Sequence, residues 1–248
     1  MNTRSTRIDA QGVHYTALNR QIREAVAEGA EEIVLDNVLG QRFIADGLKG
    51  KVTLQIHGVP GGDLGMFMSG PTCIVYGNCE HAPGNTMDAG TIVIHGGAGD
   101  AVAHSMRGGQ VFVRDSIGYR GGIHMKEYEQ KRPILVVGGG ARAFLGEYMA
   151  GGLIVVLGLK QEKPVEERGI GSGIHGGEIY IRGPVDERYL GVGATIMPWG
   201  EKQKAKILPC IREFARRFDV DCVTILEDDF TCIGPSSSRP FANKYVWE

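Results

Sequence analysis

Several residues in the middle of the chain are of types that ligate metals or move protons. Histidines stand at 57, 81, 95, 104, 124 and 175, and acids at Asp63, Asp88, Asp100 and Glu147. A zinc site needs three or four ligands converging on one point. Hydrolysis of a polymer in an outer groove needs two carboxylates facing each other. The spacing offers neither, because the acids fall at unrelated offsets and no histidine pair has ligand spacing. The five cysteines, Cys73, Cys79, Cys210, Cys222 and Cys232, form no CxxC. Their odd number and wide spacing imply reduced thiols, and Cys73 and Cys222, in apolar runs, read as core. Gly61-Gly62, Gly138-Gly139-Gly140 and Gly171-Ser172-Gly173 mimic phosphate loops. The chain lacks GxxxxGK[ST], however, and VVGGGARAFLG lacks the dinucleotide spacing. The expected catalytic, cofactor-binding and metal-ligating sets are therefore empty.

These residues are carried by a repeat. Between Gly77 and Gly158 a unit recurs about every 19 or 20 residues. It opens on a small residue (Gly84, Ala103, Gly146), continues three places on with Met87, Met106 or Met149, and three more places on with Gly90, Gly109 or Gly152. A short β-branched strand follows. Self-similarity at such a period marks a solenoid. The strands align on Gly58, Gly77, Gly96, Asp115, Gly138, Gly158 and Gly183. Two and four places before these anchors the residues are apolar throughout, from Leu54 and Ile56 to Ile179 and Ile181, with Ile134 and Val136 in the fifth strand. A spacing of two puts them on one face, the inside. The Met column (Met68, Met87, Met106, Met149, then Ile174) reads as a further inward stack. His57 and His95 share a column with Tyr76 between them, so they stand two rungs, roughly 10 Å, apart.

The fold class expected is mainly β: a single-stranded, right-handed parallel β-helix of about seven coils, since parallel crossovers are right-handed. Its domains are an α/β N-terminal cap (1–39), the β-helix (40–196) and a helix-strand C-terminal extension and tail (197–248). Leu18, Ile22, Ala25 and Val26 mark one face of a helix in the cap. In the extension, 201–218 reads as a helix with Ala205, Leu208, Ile211, Ala215 and Phe218 along one side, kinked or restarted at Pro209. CVTILE (222–227) reads as a strand and the tail as irregular. The charged insertions 124–131 and 160–169 read as solvated loops. The 38 glycines, lacking collagen's period, fit coil corners.

The chain has 248 residues and a formal net charge of -2. Its charges are spread along the sequence, which excludes a nucleic-acid or anionic-membrane partner as the main one. No apolar run is long enough to span a membrane, and the start, MNTRSTRIDAQG, has no signal-peptide core, so a cytoplasmic location is expected. Three places before each anchor stand Gln55, Ile74, Val93, Phe112, Leu135, Val155 and Tyr180. This column should point outward. Ile74, Val93, Phe112, Leu135 and Val155 then form an apolar stripe that must be covered, either by helix 201–218 or by a second subunit, identical or not.

The segments IREAVAEGAEEIVLDNVLGQRFIADGLKG (22–50), GNTMDAGTIVIHGGAGDAVAHSMRGGQVFVRD (84–115) and GEYMAGGLIVVLG (146–158) carry a resemblance. Over roughly 8–195 the chain resembles the GXGXG domain, the C-terminal β-helix of the glutamate synthase large subunit, in its stand-alone form. The C subunit of formylmethanofuran dehydrogenase is a relative. The resemblance implies a scaffold without chemistry of its own, working with amidotransferase and FMN-binding synthase subunits in nitrogen assimilation. FMN and the iron–sulfur cluster would reside in a partner subunit. The alternatives are the formylmethanofuran dehydrogenase C-like role and an independent β-helix enzyme.

Overall fold

Runs of Val, Ile and Leu, most of them following a glycine at a tight corner, form the solenoid strands. The computed structural model describes residues 4–161 and 163–237. Its single sheet has 11 strands and winds into a β-solenoid of about six turns, one fewer than the anchors suggest. The strands are β1 (Ser5–Asp9), β2 (Glu32–Leu39), β3 (Thr53–Val59), β4 (Ser69–Tyr76), β5 (Ala89–Ile94), β6 (Gln110–Val113), β7 (Ile134–Val137), β8 (Ala150–Val156), β9 (Gly176–Arg182), β10 (Ala194–Met197) and β11 (Phe230–Pro235). Strands β1 to β9 pair in sequence order, all parallel. β11 then pairs antiparallel with β9, and β10 with β11.

Helix α1 (Tyr15–Ala27) buries Leu18, Ile22 and Ala25 against the first coils. The inner core is continuous from there to Ile233. Met68, Met87, Met106 and Met149 are fully buried in it, and Met125 fills the rung between Met106 and Met149. Flexible thioethers adapt well to such an irregular column.

Every coil turns through the same corner, with three left-handed residues at alternate positions. In one coil these are Ala82, Gly84 and Thr86, in another Ala101, Ala103 and Ser105, and in a third Phe144, Gly146 and Tyr148. The middle member is always small because the core presses on it. A Cβ on Gly146 would lie 2.4 Å from Ile179 Cδ1, and one on Gly84 3.0 Å from Val111 Cγ2. The flanking members need not be glycine, contrary to the expectation of a glycine at each corner. Phe67, Thr86, His124 and Tyr148 hold φ of 54°, 52°, 56° and 52°. Each donates its backbone N–H to a carbonyl of the next coil, as Thr86 does to His104 at 2.8 Å and Tyr148 to Ser172 at 2.7 Å. These regular bonds offset a left-handed cost of about 1–2 kcal/mol per residue. The strand-opening glycines have a different cause. A Cβ on Gly90, Gly109 or Gly152 would lie 2.4, 2.6 or 2.7 Å from a carbonyl oxygen of the coil before it.

The C-terminal extension differs from its sequence reading in four ways. Helix α2 (Glu201–Phe218) runs unbroken through Pro209. Pro209 and Ala205 are both exposed, so the carbonyl that the proline leaves unbonded faces water. The buried face is Ile207, Cys210, Ile211, Phe214 and Ala215, while Ala205 is exposed and Leu208 and Phe218 are half-buried. Residues 222–227 are not a strand. They hold helix α3 (Cys222–Leu226), whose start is capped by Asp221 accepting from the N–H groups of Val223 and Thr224. Finally, the segment from Phe230 is strand β11, inserted between β9 and β10. The rest of the tail, with Phe241, Tyr245, Val246 and Trp247, lies outside the described residues.

Candidate functional site

The outer face of the sheet is one surface with a definable chemistry. Its central column is Val34, Gln55, Ile74, Val93, Phe112, Val136, Val155 and Tyr180, fixed by the strand register. Leu135 does not belong to it. Leu135 pairs with Val111 and Ile154 and lies in the inner core, as does Val137, whereas Ile134 and Val136 face out. The true anchor of that coil is Gly139, 19 residues before Gly158, not Gly138. One residue of slip turned every side chain of β7 over.

Helix α2 lies across the later half of this face. Ile207, Ile211 and Phe214 pack with Phe112, Val136, Leu153, Val155, Leu157 and Tyr180 in a second core separate from the solenoid interior. Phe112, Val155 and Tyr180 are fully buried there. Arg217 closes one end, its guanidinium 5.2 Å over the Phe112 ring. Glu178 closes another, pairing with Lys206 at 2.6 Å and Arg132 at 3.3 Å. The Tyr180 hydroxyl is buried without a hydrogen-bond partner, and burial, with Cys232 nearby, raises its pKa.

Ahead of α2 the same face is uncovered by any described helix. His57, Tyr76 and His95 stack there with ring centroids 4.7 and 5.3 Å apart, and Phe218 at the end of α2 meets His95 edge-on at 5.2 Å. Tyr76 separates the two histidines, so they share no ligand. Burial, then the charge of Arg114, lowers the pKa of His95. Gln55 bridges Glu32 at 2.6 Å.

A third surface, the outer side of the left-handed corner, collects residues that the sequence left scattered. Asn85 joins Asp63 at 2.9 Å and His104 at 3.1 Å. His124 stacks on Tyr148 at 5.3 Å, and Arg120 binds the buried Glu147 at 2.9 Å. Burial and then the neighbouring His124 lower the pKa of His104. Asp88 is held by Lys131 at 2.6 Å, while Asp100 accepts the Tyr119 N–H at 2.8 Å. Each acid thus serves a different partner, and no carboxylate pair forms. His81 Nδ1 accepts the Asp100 N–H, and His175 bonds the Gly173 carbonyl.

No group of three metal-ligating side chains occurs among the described residues. Two of the glycine runs cradle no anion, because their glycine N–H groups are already spent. Gly138, Gly139 and Gly140 donate to Val113, Asp115 and the Ser116 hydroxyl, and Gly171 and Gly173 to Leu145 and Val192. Burial pushes the Cys73 thiol up to about 12 and Cys210 up to about 11, so neither is a nucleophile near neutrality. No helix among the described residues is long and apolar enough to cross a membrane.

The family model for the GXGXG motif matches residues 19–233. An uncharacterized protein of Methanocaldococcus jannaschii is 56% identical over 249 residues, covering 96% of this chain and 95% of that protein. Among solved structures, the formyltransferase/hydrolase complex of Methylorubrum extorquens, in complex with methylofuran, contains a chain of similar fold. The TM-score is 0.60 at 18% identity, over 90% of this chain and 88% of that one.

Proposed function

We propose that this chain, which belongs to the GXGXG motif family, is a scaffold subunit of a multisubunit enzyme whose chemistry lies in partner chains. The observation that carries this reading is the match over nearly the full length of both chains to one chain of a formyltransferase/hydrolase complex. In that assembly the solenoid is a subunit, not one domain of a longer enzyme. The side chains agree, since each acid, buried thiol and glycine N–H discussed above already serves the fold. The assembly favoured by this match is a cytoplasmic formyl-transferring one, with the chain in the place of a C-like subunit of formylmethanofuran dehydrogenase.

A second reading rests on the coil motif of Gly84, Met87 and Gly90 with its repeats, which resembles the glutamate synthase β-helix. In that case the partners are an amidotransferase and an FMN-binding synthase. Affinity-tagged chain, recovered at native level and analysed by mass spectrometry and flavin assay, separates the two. Co-purifying formyltransferase and hydrolase chains support the first, and stoichiometric FMN with an amidotransferase the second. Recovery of the chain alone overturns the scaffold reading.

A further inference from the structure

Among the described residues the sheet ends on two strands, β1 and β10, and they are finished in opposite ways. An open edge is a template for another strand unless charge or proline blunts it. β1 reads Ser5-Thr6-Arg7-Ile8-Asp9, and its Arg7 reaches across to pair with Asp36. Its charges guard it. β10 carries no charge, and neither does the whole stretch 192–200, VGATIMPWG, whose one proline, Pro198, follows the strand and limits the open edge to Ala194–Met197. Val192 is 67% exposed, Ile196 39% and Met197 37%.

Among the described residues the backbone of β10 is also unpaired on one side. Ser236 donates to the Gly193 carbonyl, and Ala194 stands opposite Pro235, Thr195 opposite Gly234 and Ile196 opposite Ile233. Bonded and non-bonded pairs alternate along an antiparallel ladder. Thr195 and Met197 therefore bond to β11, while Ala194 and Ile196 aim their backbone groups away from it. The Ala194 N–H turns back to Gly191. This leaves the Ala194 carbonyl and both backbone groups of Ile196 on the open side. No described strand pairs with them.

We propose that β10 pairs antiparallel with β10 of a second copy, forming a two-fold dimer with one sheet running through both chains. Thr195 faces Thr195 of the second copy across the axis, and each Ile196 N–H donates to the opposite Ala194 carbonyl. Every free donor at the edge then meets a free acceptor of the same sequence, which is what an isologous contact requires. The uncharged stretch 192–200 places no like charges against each other across the axis, where they would repel. The two Ile196 side chains lie on the diagonal of this register, about 7–8 Å apart. The contact is short, so the dimer is weak and depends on concentration. It is independent of which enzyme the chain serves.

Sedimentation of the purified full-length chain over a concentration series tests this. The wild type is expected to pass from monomer to dimer. Ile196→Lys and Ile196→Glu should each weaken the dimer by at least about tenfold, from like charges brought together, without lowering the thermal midpoint. An equimolar mixture of the two variants should restore dimers, since 196 then meets its opposite charge. A wild type that stays monomeric at every soluble concentration overturns the proposal. In that case protection of the Ile196 amide from exchange would mean that the chain's own residues beyond Ser237 cover the edge. A dimer that survives Ile196→Lys, or a mixture that fails to recover it, overturns it equally.

Discussion

The two halves of the outer sheet face share a central column of similar residues yet meet different fates. Over β6 to β9 the column Phe112, Val136, Val155 and Tyr180 lies under α2. Over β3 to β5 it is Gln55, Ile74 and Val93, with no described helix above it. The central residues distinguish the halves only in part: Val93, 2% exposed, is as buried as its covered counterparts, whereas Gln55 and Ile74 are half-buried. The flanking columns do so more fully. In the open half they are Thr53, Thr72 and Thr91 on one side and His57, Tyr76 and His95 on the other. Under the middle of α2, on β7 and β8, they become Ile134 and Leu153, and Gly138 and Leu157, while Gln110 and Arg114 of β6 and Glu178 and Arg182 of β9 keep the margins of the covered half polar. A covering element thus declares itself in the width of an apolar surface. One apolar column is shielded by the polar side chains beside it, while three side by side need a helix.

The sharpest way to break this comparison is to place the same charge in the same column of each half. Phe112→Asp buries a carboxylate under α2, with only Arg217, already paired with Glu213, beside it, and should cost at least the roughly 3–5 kcal/mol of deleting a buried phenyl ring. Ile74→Asp, half-buried beside Thr72 and Tyr76, should cost no more than about 1 kcal/mol. Urea melts at two protein concentrations measure both. Equal costs would mean that something covers the open half as firmly as α2 covers the other. A Phe112→Asp cost that vanishes at low concentration would place a second chain, not α2, over Phe112.

A smaller effect comes from Gly138, which lets α2 approach the sheet. A Cβ there would lie 2.5 Å from Phe214 Cζ and 2.1 Å from the Arg114 carbonyl. Gly138→Val should therefore lift α2 and cost about 1–3 kcal/mol of overpacking. Hydrogen exchange should show the loss in α2 amides while those of the inner strands stay protected. Loss of protection throughout the solenoid would instead make α2 part of a single cooperative unit with it.

The solenoid was legible from sequence because stacking makes the evidence repeat. Met87 and Met106, or Ile92 and Val111, are independent witnesses to one column. Reading failed where that repetition lapsed. The coil ending at Gly139 carries an insertion, so choosing Gly138 as its anchor inverted β7 and misplaced Leu135 and Val136. Residues 222–227 form a single short apolar run with no second copy to fix its period, and the cap at Asp221 decided for helix. The corner cluster of Asp63, Asn85, His104 and His124 was missed because only Asn85 and His104 occupy equivalent places in neighbouring coils, while Asp63 opens its corner and His124 closes its own. Only the left-handed geometry, which non-glycine residues do not advertise, folds them onto one side. The emptiness of the glycine runs depends on where their N–H groups point, which no sequence shows.

The smallest expected effect lies at the seam between the halves. His95 stacks on Tyr76 of the open face and meets Phe218 at the end of α2. Burial, and then Arg114, depress its pKa in the fold. In the unfolded chain it titrates near about 6.5. As pH falls below that value the unfolded chain takes up the proton first, so ν for the unfolded state exceeds that of the native state and stability rises with pH. The contribution is complete above the unfolded pKa and is lost as pH drops through the lower, folded one. His104, depressed in the same direction, adds to the slope. His95→Phe keeps an aromatic ring between Tyr76 and Phe218 but cannot be protonated. Its urea midpoint should fall less than that of the wild type between about pH 7 and 5, retaining the share due to His104. Adding His104→Gln should flatten that window further. Identical slopes for wild type and His95→Phe would show that protonating His95 costs the fold nothing, and that the ring is free to swing away from α2 into the water over the open half.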